Sequence, residues 1–312
     1  MLGVLQVVIP VFLVLGAGYL ATRVGYLKDA HVDALNSFTQ GFAIPVLLFR
    51  AMLNLDLGTV AEPGLLIAFY TGSTITFVLG MLGARFLFGR RPGEAVAVGF
   101  GAFFSNTVVI GIPIVERAFG ADALAASLLI IAFHAPYCYL VGITVMEVSR
   151  ADGRSLRETA LVVANEVRKN ALMIGIFAGI AANLMGVTLP EPVRSAVDMV
   201  ASAGLPTALI GLGGVLTRYK LSSTMGEAAM ISFLSLVLHP AITFLLAHVV
   251  FGLPDIFVKG VVLTSAMAPG VNAYIFAAMY DRAQGTAAST VLLATGLSVF
   301  SVSVWLSILN AM

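Results

Sequence analysis

Charge is what this sequence has least of. Of 312 residues only 11% are charged while 59% are hydrophobic, whereas soluble domains carry roughly 25% charged residues. That shortage excludes a soluble globular domain, and a formal net charge of +1 provides no basic footprint for nucleic acid. Cysteine is nearly absent. The single one, Cys138, excludes an internal disulfide and a cysteine-based metal cluster, and within its apolar segment it reads as a small buried hydrophobe. Carboxylates are missing from the interior of every apolar run: Glu116, Glu147, Asp198, Glu227, Asp255 and Asp281 all fall near run ends. A carrier of organic cations is expected to place a carboxylate at its site, so an anionic substrate is favoured. The same lack argues against an intramembrane aspartyl protease, and no HExxH motif suggests a zinc enzyme. With no nucleophile–base pair either, neither an enzyme nor a resident metal or cofactor is expected.

What the chain does have is long apolar runs. A membrane span needs about 20 such residues, and ten are predicted, at roughly 2–22, 32–53, 63–88, 93–118, 121–147, 169–187, 196–217, 224–251, 255–281 and 284–311. The expected class is an all-α integral membrane protein. The first run lacks a basic n-region and reads as a retained span. Between the fifth and sixth runs, 148–168 holds Arg150, Arg154, Arg157 and Glu158 with Leu156, Leu161, Val162 and Val163. That mixture predicts an amphipathic helix on the membrane surface, linking a first repeat over 1–147 to a second over 169–312.

Basic residues orient the spans. Numbered alternately, one side receives Arg23, Lys28, Arg85, Arg90, Arg91, Arg150, Arg154, Arg157, Arg168, Lys169, Arg218, Lys220 and Arg282, and the other only Arg50, Arg117, Arg194 and Lys259. The richer side should be cytoplasmic, with both termini on the outside of the cell membrane. The halves also echo each other: Gly18, Gly25 and Ile44-Pro45 recur as Gly179, Gly186 and Leu205-Pro206 at one offset. Five spans per half is an odd number, so such halves are inverted in the membrane, a common transporter plan.

Two runs are interrupted. Ser105-Asn106-Thr107-Val108-Val109-Ile110-Gly111-Ile112-Pro113 lies in the fourth run and Ala268-Pro269-Gly270-Val271-Asn272-Ala273-Tyr274 in the ninth. Proline removes an N–H and collides with the preceding turn. In hydrocarbon a break survives only where protein, ions or water satisfy the freed groups. Where two interrupted helices meet, half-helix N-termini present unpaired N–H groups and C-termini present carbonyls. Asn106, Thr107 and Asn272 add side-chain donors and acceptors there. Such a place can hold a carboxylate on its donor side or a small cation on its carbonyl side. The bland alternative is a pair of proline kinks satisfied by neighbouring helices.

The mid-span ionisable groups are His134 and His239. Either can take a proton near neutral pH and couple transport to it, or contact an anion; either can equally be a neutral ring hydrogen-bonded across helices. Thr71, Ser73, Thr74 and Thr76 in the third run could ligate sodium with freed carbonyls, although such hydroxyls more commonly bond carbonyls of their own helix. The coupling ion, proton or sodium, stays open. So does a channel or membrane sensor on the same framework.

The fourth-span stretch Asn106 to Pro113 resembles the motif of the auxin efflux carrier family, which includes plant PIN-formed proteins and many bacterial members. Ala268 to Tyr274 is similar to that family's ninth-span motif, and Phe42-Ala43-Ile44-Pro45 to its second-span motif. The resemblance covers the whole ten-span layout. It implies a five-plus-five inverted repeat related to bile acid–sodium symporters, in which helices 1, 2, 6 and 7 form a scaffold that often dimerises. Helices 3–5 and 8–10 would be a mobile transport domain, with helices 4 and 9 crossing, working by an elevator motion. By position it implies a substrate site at Asn106, Thr107, Pro113 and Asn272 with Pro269, Gly270 and Val271 holding a carboxylate. His134 falls where plant members tend to carry Gln, and Tyr139 matches a pocket Tyr. Leu48 replaces a scaffold polar residue, the third span lacks the acidic residue of plant members, and their long cytoplasmic loop is absent. Bacterial relatives are associated with small carboxylates such as malonate or malate. The expected function is therefore secondary transport of a small organic anion.

Overall fold

The computed structural model describes residues 2–56, 58, 62–150, 168, 170–221 and 224–312. The surface helix expected over 148–168 falls almost wholly outside them. Every regular element among the described residues is helical. Seven helices are long and apolar enough to cross a membrane: Val4–Arg23, Asp29–Leu53, Pro63–Phe86, Thr107–Ser149, Glu191–Leu216, Met225–Val250 and Gln284–Asn310. This is a multi-pass membrane protein. Three of the ten predicted spans come out shorter or in pieces. The sixth is Ala171–Leu184, while the fourth and ninth are each split where sequence placed a break. The fifth has no separating loop, because Gly120 at φ 77° interrupts the helix within a single residue.

The chain divides into two compact units, one formed by 10–61 with 164–218, the other by 1–9, 62–163 and 219–312. In the first unit, α1 (Leu2–Arg23, from Pro10 on), α2 (Asp29–Phe38), α3 (Ile44–Leu53), α7 (Ala171–Leu184) and α8 (Glu191–Leu216) pack through glycines. A Cβ on Gly18 would strike the Ile210 backbone, and one on Gly179 the Phe49 backbone. Gly25 and Gly186 end α1 and α7 at φ 83° and 65°, a backbone that favours glycine. The Asn183 amide donates to the carbonyls of Met52, Leu53 and Leu55 at 2.8–2.9 Å and so caps α3. Arg50 pairs with Asp198 at 3.2 Å, and Arg218 with Asp29 and Asp33 at 3.2 and 2.7 Å.

The second unit holds α4 (Pro63–Phe86), α5 (Pro92–Phe103), α6 (Ile112–Arg150) and α9 (Met225–Phe233), then α10 (His239–Phe244), α11 (Asp255–Ser265), α12 (Val271–Met279) and α13 (Gln284–Asn310). Among its described residues the buried carboxylate is Glu227, at the start of α9, where Arg90 grips it at 2.5 and 3.0 Å and Thr286 at 3.4 Å. That hydrogen bond holds the Arg90 guanidinium above its ordinary range, against the opposing effect of burial.

Proline explains three of the four π turns among the described residues. Wide π turns at Thr39–Ala43, Thr107–Gly111 and Leu234–Leu238 stand immediately before Ile44-Pro45, Ile112-Pro113 and His239-Pro240. A proline ring crowds the carbonyl four residues back. Shifting the bonds to a five-residue spacing, as in Ile44 N–H to Thr39 O and His239 N–H to Leu234 O, relieves that collision.

Candidate functional site

The two breaks meet within the second unit. Residues 104–106 leave α5 and residues 266–270 leave α11 as non-helical backbone, and Ser105 and Pro269 pair as an isolated antiparallel bridge. The Asn106 N–H donates to Ala268 O at 2.8 Å, and the Gly270 N–H donates to Phe104 O at 3.0 Å. This corrects one expectation: those two amides are not available to a ligand, because each break satisfies the other.

The remaining carbonyls of the fourth-span break are also accounted for, as burial requires. Thr76 Oγ1 donates to Ala102 O at 3.1 Å, Cys138 Sγ to Phe103 O at 3.6 Å, and His134 Nε2 to Ser105 O at 3.2 Å. Ser105 O also accepts from the Thr107 N–H at 2.9 Å. Since a carbonyl only accepts, the proton of His134 is on Nε2. With the carbonyls from Ala102 to Ser105 each holding a donor, a small cation finds little there.

The donor side is different. The first N–H groups of a helix have no preceding turn to bond, and the second halves of both broken helices begin here. Thr107–Gly111 leads into α6, and Val271 opens α12. Asn106 Oδ1 accepts from the Val109 N–H at 3.2 Å, and Asn272 Oδ1 accepts from the Tyr139 hydroxyl at 3.1 Å. Both carboxamide oxygens are thus occupied, which turns each NH2 group toward other acceptors. Asn106, Val108, Val109, Val271, Asn272 and Tyr139 are half-buried, while Ser105, Thr107, Pro113, Pro269 and Gly270 lie inside. The result is a set of donors without a formal charge, able to hold an anion. Beneath it, Phe100 of α5 and Phe276 of α12 stack at 3.9 Å and lock the half-helices together.

The other predicted residues are carried by α4 and α10. His239 donates from Nε2 to Phe69 O at 3.2 Å, and Ser73 Oγ bonds Tyr70 O at 3.4 Å. Thr71 is half-buried on α4. Of the third-span hydroxyls it is Thr76, not Ser73, that reaches the break; Thr74 meets the Tyr137 hydroxyl at 2.8 Å. The backbone of Phe104 and Ala268 is not signalled by any side-chain pattern in the sequence; Cys138 is buried, as expected of a small hydrophobe, and in addition donates to Phe103 O. The Cys138 sulfur lies 3.7 Å from His134 Nδ1.

A helical membrane protein whose two interrupted helices pair back to back has the build of a transporter, and comparison with known proteins agrees. The profile of the membrane transport protein family matches residues 4–306, and the chain belongs to that family, the auxin efflux carriers. A protein of Rhizobium meliloti named "Putative malonate transporter" is 25% identical over 296 residues, covering 95% of this chain and 92% of its own. An "Uncharacterized transporter" of Methanothermobacter thermautotrophicus is 24% identical over 311 residues, covering 97% and 98%.

Proposed function

We propose that this protein is a secondary active transporter of a small organic anion, a carboxylate or dicarboxylate of the malonate or malate type. The carrying observation is the asymmetry at the paired breaks. The fourth-span break's carbonyls are met by donors of the protein itself. The half-helix starts, by contrast, have only part of their N–H groups engaged, Thr107 by Ser105 O, Val109 by Asn106 Oδ1 and Ala273 by Gly270 O. This leaves the others and two asparagine NH2 groups for a negatively charged guest. The name of the Rhizobium meliloti relative points to the same class of substrate. The reading extends to a ten-span, five-plus-five inverted repeat. In its support, Gly18 against Ile210 and Gly179 against Phe49 are the same pair of contacts displaced by one repeat offset. The unit holding the breaks is the moving part of an elevator, and the unit of α1, α2, α3, α7 and α8 is the scaffold, through which two copies associate. Both termini lie outside the cell membrane.

The test is counterflow in proteoliposomes loaded with unlabelled malonate. Saturable, trans-stimulated uptake is expected. Flux that never saturates would instead make the protein a channel, and no flux a sensor. Asn106→Ala removes a donor to a charged group, worth about 1.5–3 kcal/mol, so binding should weaken at least about tenfold with the thermal midpoint within a few degrees of wild type. Wild-type transport in that variant would remove the site assignment.

A further inference from the structure

Of the buried side chains among the described residues, those that can become positively charged are His134 and His239, while the buried carboxylate Glu227 is already neutralised by Arg90. The donors around Asn106 and Asn272 carry partial charge alone. An anion drawn into this interior leaves its hydration behind, so a full positive charge nearby is worth much more there than in water. Two rings could acquire one. His239 is tied to Phe69 O on α4 and packs against the Phe69 ring, whose centroid stands 4.8 Å from His239 and 5.5 Å from His134. His134 is tied to Ser105 O, on the residue before Asn106, and is 3% exposed.

From this placement we infer that His134 takes up one proton when the anion binds, making the protein a proton–anion cotransporter. The inference rests on the anion-carrier reading above. A new N–H bond forms at Nδ1, whose lone pair now faces the Cys138 sulfur, and the proton comes from water. The ring becomes an imidazolium and releases the same proton to water when the anion leaves. Nε2–H keeps its bond to Ser105 O throughout, so the ring stays put while its charge changes. Cys138 need only keep its S–H on Phe103 O and offer its sulfur to the new N–H.

The groups facing His134 add no fixed charge. Its own helix presents Cys138; α4 presents Tyr70, stacked at 6.4 Å with its hydroxyl bonded to Ile130 O; α10 presents His239, packed on the same Phe69 ring; and the break presents the Phe104 ring at 4.7 Å. Tyr137, next to Tyr70 at 4.5 Å, engages Thr74. On α11 the ionisable residues are Asp255 and Lys259 in its first turns, Lys259 lying over Phe119. No ion pair to His134 exists among the described residues.

Sign follows from linkage. If the anion favours the protonated ring, the protonated ring favours the anion by the same factor, so affinity rises as pH falls, by up to about tenfold per pH unit. The probe is sulfoacetate, which stays a dianion between about pH 6 and pH 8, the window in which histidine titrates; its own charge therefore cannot produce the slope. Binding to the purified full chain in detergent should tighten from pH 8 to pH 6 and draw up to one proton per anion from a weakly buffered solution. His134→Gln keeps a donor for Ser105 O and should bind with a flat profile, while His239→Gln keeps the slope. A wild type that binds without proton uptake overturns the inference, even if the Gln variant fails to fold. So does a slope that survives in His134→Gln. Asn106→Ala separates the two readings: undiminished sulfoacetate binding in that variant overturns the site itself, whereas lost binding there beside an unchanged slope in His134→Gln overturns only the proton.

Discussion

At the scale of single residues, the described chain pairs most of its buried polar groups with backbone carbonyls, another side chain or an opposite charge. Arg90 and Glu227 show how unequal such partners are. Glu227 is 3% exposed and the Arg90 side chain 26%, so removing either leaves a different orphan. Arg90→Ala strands a carboxylate away from water, at a cost of about 3–5 kcal/mol before allowance for the partner's exposure. Glu227→Ala leaves a guanidinium that can still reach solvent. Thermal unfolding should therefore show the larger loss for Arg90→Ala, and equal losses would mean that water reaches Glu227. Tyr139→Phe belongs at this scale too. It frees Asn272 Oδ1, and a carboxamide no longer held in one orientation should bind an anion several-fold more weakly in a direct titration, since one such bond is worth about 1 kcal/mol.

At the scale of helices, glycine and proline decide what touches what. Gly18 and Gly179 let backbones approach so closely that a methyl group on either meets main chain rather than a yielding side chain. Overpacking of that kind costs about 1–3 kcal/mol. Gly179→Ala and Gly18→Ala should each lower the unfolding midpoint measurably, whereas Gly16→Ala, with open space around it, should not. Both interruptions could be located from composition, because a polar residue beside Gly and Pro disfavours continuous helix inside a long apolar run. The π turns could not. Three of the four arise from collisions between proline rings and carbonyls one turn back, and a run such as Leu234 to Leu238 carries no sign of the bond spacing it will adopt. The roles of Thr76 and Cys138 were equally hidden. Both point at carbonyls exposed only because another segment is broken, and residue identity says nothing about distant carbonyls.

At the scale of the whole molecule, the uneven distribution of lysine and arginine is the best guide to orientation. Cys138 is the sole cysteine and is buried, so Cys138→Ser gives a background with no native thiol. New cysteines in place of Lys28 and Lys220 should react with an impermeant maleimide only after the membrane is opened, and one in place of Arg194 should react in intact cells. The reverse pattern would turn the molecule over.

The bridge between Ser105 and Pro269 is made wholly of main-chain atoms. Alanine scanning leaves it untouched at Phe104 and Ala268, so a mutational survey of side chains would pass over the joint on which the site is built. Reaching it takes backbone chemistry: an ester in place of the amide at Asn106 or Gly270, which deletes one hydrogen and alters no side chain. Relatives can therefore diverge freely at the flanking positions and still keep the joint.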